Sequence, residues 1–365
     1  VQISVPKESK NHEYRVGLTP SSVFELTCAD HEVAVQTQAG TAIGYDDAAY
    51  VQAGARIVGA EEAFAGELIV KVKEPSVQEC RRLDHGQILF TYLHLATAQA
   101  QAHELLNRGV TAIAYETVED NLARLPLLAP MSEVAGRMSV QVGAQALLAS
   151  GGGRGTLLGG VPGVPPGKVV VLGGGMAGSN AARMAVGLQA DVTIVDQSID
   201  RLRTLSDAFA GHAKVVMASK NTIARAVRDA DLVIGAALVV GDKAPKLINR
   251  SLLAEMQTGA ALVDISIDQG GCFESSHPTS HDAPTFIEQG IVHYCVTNMP
   301  GAVARTSTQA LNNVTLPYLT ALASKGMQSA FADDPGFAKG LNVHQGHICH
   351  PAVGRALALH VTKGN

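Results

Sequence analysis

The chain has 365 residues, 46% of them apolar and 17% charged, with 28 Lys and Arg against 33 Asp and Glu and a net charge of −5. That length predicts two domains, and the apolar share supplies a core for each. The acidic balance argues against a nucleic-acid partner, whose footprint is a basic excess, and no apolar run approaches the roughly 18–20 uncharged residues of a membrane span. Aromatics reach only 4% and Trp is absent, whereas Gly counts 37, so small residues and glycine turns set the packing. The first ten residues carry Lys7, Glu8 and Lys10 and read as a strand and loop, not as an apolar signal segment. Cys28, Cys80, Cys272, Cys295 and Cys349 are odd in number, widely spaced and without a CxxC. They read as reduced core thiols of a cytoplasmic protein.

In chain order, β-branched runs at 3–6, 32–36, 68–73, 88–93 and 111–115 predict strands, with helices between them at 20–28 and 97–108. Strands alternating with helices give a parallel, doubly wound sheet. Residues 132–148 repeat apolar positions at Val134, Met138 and Val142 and predict a helix joining two domains. After the Gly/Pro-rich stretch 151–167 the rhythm restarts, with strands at 168–172, 191–195, 214–217, 232–234, 261–265 and 291–296. Helices are expected at 180–188 and 199–209. A last helix over 309–325, carrying Leu311, Leu316, Leu319 and Leu322, has no sheet of its own and is expected to pack back onto the first domain. The expected fold is therefore α/β, with two doubly wound, Rossmann-like parallel-sheet domains and a cleft between them. Residues 1–130 plus 303–365 form one domain and 131–302 the other.

The second unit opens with the strand 168–172 running into Gly173-Gly174-Gly175-Met176-Ala177-Gly178 and then a helix. This is GxGxxG in its proper setting. Gly173 permits the tight turn, Gly175 lets backbone approach a pyrophosphate, and Gly178 lets helix and strand pack closely. The amides and dipole at the helix start attract phosphate. The following strand ends at Asp196, about 20 residues on, where a carboxylate accepts the ribose 2′-hydroxyl and repels a 2′-phosphate. NAD is expected over NADP, with Arg201 nearby keeping the second open. A methyltransferase, whose cofactor also uses a glycine loop and an acid after the second strand, is the rival reading.

Ligands of open parallel sheets bind beyond the carboxyl ends of the strands. The polar residues at that address are Arg15, Lys71, Lys73, His94, Asp268 and Asn298. Each also has a plainer reading: Arg15 as a surface ion-pair member, Lys71 and Lys73 as solvated cations, His94 as a satisfied structural histidine between leucines, and Asp268 as a turn residue. His344, His347 and His350 recur every third residue but lack convincing metal geometry and read as surface histidines, so no metal is expected. Ser280, His281 and Asp282 are consecutive, whereas a catalytic triad is assembled in space.

At this point a family resemblance is visible over almost the whole chain. VPKE, NHEYRVGLTP, IVKVKEP, ILFTYLHLA, TAIAYETV, LPLLAPMSEVAGRMSVQ, GGRGTLLGGVPGV, VVLGGGMAGSNAARMAVGL, DQGGC, HYCVTNMPGAV and RTSTQALNN resemble the bacterial-type L-alanine dehydrogenases. More distant likenesses are the nicotinamide-binding subunit of proton-translocating transhydrogenase and the lysine-forming saccharopine dehydrogenases. The resemblance implies NAD-dependent oxidative deamination of L-alanine to pyruvate and ammonia, and the reverse amination, by a homohexamer. It implies that Arg15 and Lys73 hold the substrate carboxylate and carbonyl oxygen, and that His94 and Asp268 do acid–base work. It further implies a cofactor lined by Ser132, Met176, Ala177, Asp196, Arg201, Ala237, Leu238, Ile267, Asp268, Val296, Thr297, Asn298 and Met299. The roles make chemical sense: guanidinium matches a carboxylate, an ammonium steadies developing negative charge, and a histidine moves protons near neutrality.

Against the family pattern, Ala218 stands where a serine near the adenosine is usual, with Ser219 beside it. His277 stands for an arginine, Ser266 for an alanine and Ala304 for a proline. These bear on cofactor affinity and fine substrate choice, not on the reaction class. The other readings left open are a same-fold protein acting on another small amino acid, a non-catalytic NAD-binding subunit, and a nucleotide-binding regulator without turnover.

Overall fold

The computed structural model describes residues 1–237 and 244–362; Leu238, expected near the cofactor, lies outside them. Contacts divide the chain into two compact units, Val1–Pro130 with Val303–Asn365, and Met131–Ala302.

The first unit begins β1 (Gln2–Val5), α1 (Pro20–Cys28), β2 (Glu32–Gln36), α2 (Asp47–Gln52), β3 (Arg56–Val58), β4 (Leu68–Val70), α3 (Val77–Cys80), β5 (Ile88–Thr91), α4 (Gln99–Arg108) and β6 (Thr111–Ala114). Helix α5 (Ala129–Ala146) starts just before the boundary. The second unit runs β7 (Lys168–Leu172), α6 (Met176–Gly187), β8 (Asp191–Asp196), α7 (Ile199–Phe209), β9 (Lys214–Met217), α8 (Lys220–Arg228), β10 (Leu232–Gly235), α9 (Arg250–Leu253), β11 (Ala261–Asp264), β12 (Thr285–Glu288) and β13 (Ile291–Tyr294). The chain then completes the first unit with α10 (Ala304–Asp333), α11 (Pro335–Ala338), β14 (Leu341–His344), β15 (His347–Ile348) and α12 (Pro351–Leu357).

The first sheet has the order β15-β14-β6-β5-β4-β1-β2-β3 and the second β12-β13-β11-β10-β7-β8-β9. All pairings are parallel except β6–β14, β14–β15 and β12–β13. Both sheets therefore wind outward from their first strand and switch direction beside it, between β1 and β4 and between β7 and β10. Central strands are buried on both faces, which is why they read as unbroken apolar runs: Ile3, Val5, Ile69 and Val70 in one sheet, Val169, Val171, Val233 and Leu262 in the other, are at most 1% exposed. Burying each such side chain contributes about 1.5–3 kcal/mol.

Helix α1 starts where Thr19 accepts the Ser22 amide and Pro20 occupies the first turn, a position that needs no amide donor. Helix α10 holds the segment before it: the Val16 amide donates to Thr308 Oγ1 (3.2 Å), the Thr19 amide to Asn312 Oδ1 (2.8 Å), and Asn312 Nδ2 to the Gly17 carbonyl (3.0 Å). The C-terminal segment departs from the sequence reading. It supplies β14 and β15 to the first sheet, with His344 paired opposite His347. His344 is half-buried and Nδ1 lies 2.9 Å from Thr111 Oγ1, so only His347 of the three histidines is exposed. None of the five cysteines forms a disulfide. Cys80, Cys272 and Cys295 are buried, whereas Cys28 is exposed and Cys349 half-buried, so two of the five are not core thiols. Among the described residues no helix is long and apolar enough to cross a membrane, and no group of three His, Cys, Asp or Glu could hold a metal.

Candidate active site

In the first unit the segments leaving β1, β4 and β5 lie side by side, because those strands are neighbours running in the same direction. They carry Arg15, Lys73 and His94. Arg15 is only 2% exposed, which overturns its reading as a surface ion-pair member. Its Nε and Nη2 donate to the two carboxylate oxygens of Glu13 at 2.7 and 2.5 Å. Burial alone would lower the guanidinium pKa; the hydrogen bonds and charge of Glu13 outweigh that and hold it above its ordinary value. The forked contact that sequence reasoning assigns to a substrate is thus already made within the protein, and it fixes the guanidinium plane.

The two lysines after β4 separate sharply. Lys71 is fully buried, with Nζ 2.9 Å from Glu8 Oε2 and 3.3 Å from Glu79 Oε1, so it is a structural cation and not a solvated one. Burial alone would depress this ammonium, but the two carboxylates win and raise its pKa. Glu8 Oε1 also accepts the Val72 amide at 2.7 Å and the Lys73 amide at 3.4 Å, pinning the backbone that presents Lys73. Lys73 itself is half-buried, with Nζ 3.5 Å from Glu74 Oε2. Desolvation raises the Glu74 carboxyl, and Lys73 and Lys10 more than reverse that.

His94 is not the satisfied core histidine that its leucine neighbours suggest. Its side chain is 44% exposed, and its backbone takes the left-handed conformation, φ 48 and ψ 35, rare for a residue with a Cβ. Glu116 holds this turn. Its carboxylate accepts the His94 amide at 2.6 Å and the Leu93 amide at 3.2 Å, and Oε1 lies 3.9 Å from His94 Nδ1. The imidazole is parallel to Tyr92 at 5.9 Å between centroids, and Tyr92 is anchored by its hydroxyl to the Leu127 carbonyl at 2.6 Å.

In the second unit the glycine loop follows β7. Gly173 has φ 102, which a side chain would strain. A Cβ on Gly178 would stand 1.8 Å from the Gly173 carbonyl oxygen, so helix α6 can approach the loop only with glycine there. A Cβ on Gly175 would meet nothing within 4 Å: the loop is open at that point, where α6 begins. Met176 is exposed at the first turn. Asp196 ends β8, and its carboxylate accepts the Gly174 amide at 2.7 Å and the Ser198 amide at 2.8 Å. Each carboxylate oxygen has two acceptor positions, so these bonds are compatible with a ribose hydroxyl as well. Arg201 turns back on the loop, with Nε 2.5 Å from the Gly174 carbonyl.

Ser132 is half-buried, one turn before Gly136 in α5, where a Cβ would stand 2.1 Å from the Ala177 carbonyl; α5 is thereby held against the start of α6. Ala237 follows β10, Asp268 lies exposed in the turn after β11, Ile267 is 4% exposed beside it, and Val296, Thr297, Asn298 and Met299 follow β13. Asn298 takes a left-handed φ of 57. Apart from Ser132, these cofactor candidates occupy the carboxyl ends of neighbouring strands in one sheet.

Sequence reasoning missed the carboxylates that hold these segments: Glu8, Glu13, Glu79, Glu116 and Asp264. A signal existed for some. Lys71 within the run LIVKV and Asp264 within ALVDI are charges in strands otherwise fit for full burial, and a buried charge requires partners.

Known proteins resemble the chain along nearly its whole length. Residues 4–135 match the family described as Alanine dehydrogenase/PNT, N-terminal domain, and residues 139–351 match Alanine dehydrogenase/PNT, C-terminal domain. A Halomonas elongata protein named alanine dehydrogenase is 56% identical over 361 residues, 98% of this chain and 97% of that protein. A Mycolicibacterium smegmatis protein of the same name is 53% identical over 362 residues, 99% and 98% of the two chains. A solved structure titled L-alanine dehydrogenase superposes with a TM-score of 0.96 at 53% identity, covering 98% of this chain and 99% of that one. A transhydrogenase structure from Sinorhizobium meliloti shares the fold at a TM-score of 0.83, 24% identity, 96% of this chain and all of that one. The chain belongs to the alanine dehydrogenase/PNT family.

Proposed function

We propose that this protein is an NAD-dependent L-alanine dehydrogenase: L-alanine, NAD⁺ and water give pyruvate, ammonium, NADH and a proton, and the reverse. The observation that carries this reading is the 56% identity across 98% of the chain with a protein named alanine dehydrogenase. The first unit supplies substrate groups and the second supplies the cofactor cradle. NAD, when bound, would supply the acceptor for the hydride of the substrate Cα. The glycine loop with Gly173, Gly175, Met176, Ala177 and Gly178 would hold its diphosphate, and Asp196 its adenine ribose. Because Arg201 is engaged with loop carbonyls and Asp196 is a carboxylate, NAD is favoured over NADP. Ser132, Ala237, Ile267, Val296, Thr297, Asn298 and Met299 line the remainder.

Arg15 meets the substrate carboxylate; its burial removes water that would weaken such a pair. Lys73 stabilises negative charge on the carbonyl oxygen in the reductive direction and on the hydrated iminium carbon's oxygen as pyruvate forms. Oxidation leaves an iminium, water adds to its carbon, and ammonia departs. His94 and Asp268 handle the protons of those steps, His94 through an exposed imidazole that Glu116 and Tyr92 orient. Family likeness supports a cytoplasmic homohexamer.

Hydride leaves the substrate only after its ammonium has lost a proton, and aliphatic ammonium groups titrate near about 10. The rate of NADH formation from L-alanine is therefore expected to climb from pH about 7 to about 10. A flat profile over that range contradicts this order of steps.

A further inference from the structure

The turn that carries Asp268 is gripped from two sides by ionic side chains that neither the sequence pattern nor the proposed chemistry uses. Inside, Asp264 ends β11 with its carboxylate fully buried. Oδ1 accepts the Ser266 amide at 3.1 Å; Oδ2 accepts the Cys272 amide at 2.7 Å and the Ser276 hydroxyl at 2.5 Å. One carboxylate thus closes the turn by holding its first and last amides. Gly271 has φ 77, and a Cβ there would stand 2.6 Å from Asp264 Oδ2, so the backbone wraps directly around the group. Outside, Lys246 Nζ donates to the carbonyls of Gly270 (2.5 Å), Gly271 (2.9 Å) and Phe273 (3.0 Å). The backbone joins the same strap: the Ala244 amide donates to the Gln269 carbonyl at 2.9 Å and the Leu247 amide to the Cys272 carbonyl at 2.8 Å. The turn is further tied to the segment leaving β10, since Ser266 Oγ donates to the Ala237 carbonyl at 2.8 Å.

We infer that Asp264 and Lys246 are positioning residues, an anion and a cation closing on one turn so that the backbone carrying Asp268 is held in one place. An amide-accepting carboxylate and a carbonyl-capping ammonium act on opposite polar groups of the same backbone, and charge-assisted bonds of this kind are roughly twice as strong as neutral ones. The polar partners of both groups lie in the turn itself, so both are assigned to act through Asp268. The inference rests on the proposed dehydrogenase reading for its kinetic half only.

The test uses the intact chain and two substitutions. Asp264→Asn keeps the shape but offers donors where Oδ1 or Oδ2 must accept. Lys246→Met keeps an exposed stem, removes the ammonium, and leaves the core untouched. Amide hydrogen exchange over residues 266–272 is expected to accelerate about tenfold in Lys246→Met, whose melting temperature stays near the parent's. Turnover with L-alanine is expected to fall about tenfold while the KM for L-alanine and for NAD moves less than about threefold; Lys246→Arg recovers most of the loss. Asp264→Asn is expected to do the same more strongly. Should Asp264→Asn not fold, Lys246→Met decides. Parental exchange in Lys246→Met overturns the positioning claim, and parental turnover in it overturns the catalytic consequence. If the parent itself does not oxidise L-alanine, the dehydrogenase reading fails, and the exchange measurement still decides whether the two clamps set the turn.

Discussion

The two units are wound alike and equipped in opposite ways. Each sheet begins at a central strand, β1 or β7, flanked by β2 and β4 or by β8 and β10. After β7 the chain makes a glycine turn and goes straight into α6, offering backbone amides and almost no side chain. After β1 it makes a long polar excursion instead, and α1 starts only at Pro20. That excursion brings Glu8, Glu13 and Arg15 into the interior, where Lys71 and Glu79 join them, all at most 7% exposed. In the second unit Asp264 is the buried acid or base at a comparable place among the described residues, histidine aside. Winding supplies an address, the carboxyl ends of the strands, while the segment after the first strand decides the chemistry found there. Glycine and free amides suit a diphosphate; buried, mutually paired side-chain charges instead fix the backbone that presents Lys73.

Four perturbations probe that contrast between the units. The largest effect is expected from Lys73→Ala, which removes the cation proposed to steady developing charge: turnover with L-alanine should fall about a thousandfold or more, and activity within threefold of the parent would remove Lys73 from the chemistry. Next is Glu13→Ala. It removes the carboxylate paired with the buried Arg15 guanidinium, and breaking a buried pair costs about 3–5 kcal/mol, to be read as a lowered denaturation midpoint; an unchanged midpoint would mean that the first unit does not depend on this buried charge pair. Asp196→Ala, in the second unit, should raise the KM for NAD about tenfold and relax discrimination against NADP, with stability little changed. Unaltered cofactor preference would contradict the ribose assignment.

The smallest effect is a pH dependence in the second unit. His293 is fully buried, 2.8 Å from Ser275 Oγ and 3.0 Å from the Ile291 carbonyl, and burial lowers its pKa. The unfolded chain therefore takes up the proton first as pH falls below about 6.5. The folded state is favoured above that value and loses that advantage as pH falls through the lowered pKa. Melting temperature should drop on going from pH about 7.5 to about 5.5, and His293→Gln should flatten part of that slope. An equal slope in both proteins would show that His293 stays neutral for no energetic reason.

Much of this arrangement is legible in the sequence because it rests on local signals. The GxGxxG turn, the acid ending the next strand, and strands apolar throughout because both faces are buried all announce themselves in a few consecutive residues. What escapes depends on distant partners. Strand β3 is three residues at a sheet edge that grade from exposed to buried, and β12 alternates exposed and half-buried positions, so neither has the apolar run that marks a central strand. Strands β14 and β15 are short antiparallel edge pieces whose histidines draw attention for a different reason. The helix read over 309–325 lies within α10, whose backbone leaves the helical conformation at Gly326, φ 74 and ψ 162, late enough that the apolar periodicity before it dominates. Among site groups, Arg15 is recognisable by position but its buried clamp by Glu13 is not, since side-chain pairing two residues apart on an irregular segment has no periodic signature. Lys71 and Lys73, equivalent in a strand pattern, diverge because β4 ends at Val70 and the backbone then turns one inward and leaves the other half-buried.

Whether the buried-charge unit and the glycine-loop unit serve one reaction on L-alanine is decided by following NADH absorbance with purified protein at pH about 9–10. L-alanine with NAD is offered beside D-alanine, L-serine and NADP. Rapid turnover is predicted for L-alanine with NAD, and little for the other combinations. Absence of turnover with L-alanine, while NAD still binds by calorimetry, would contradict a shared reaction.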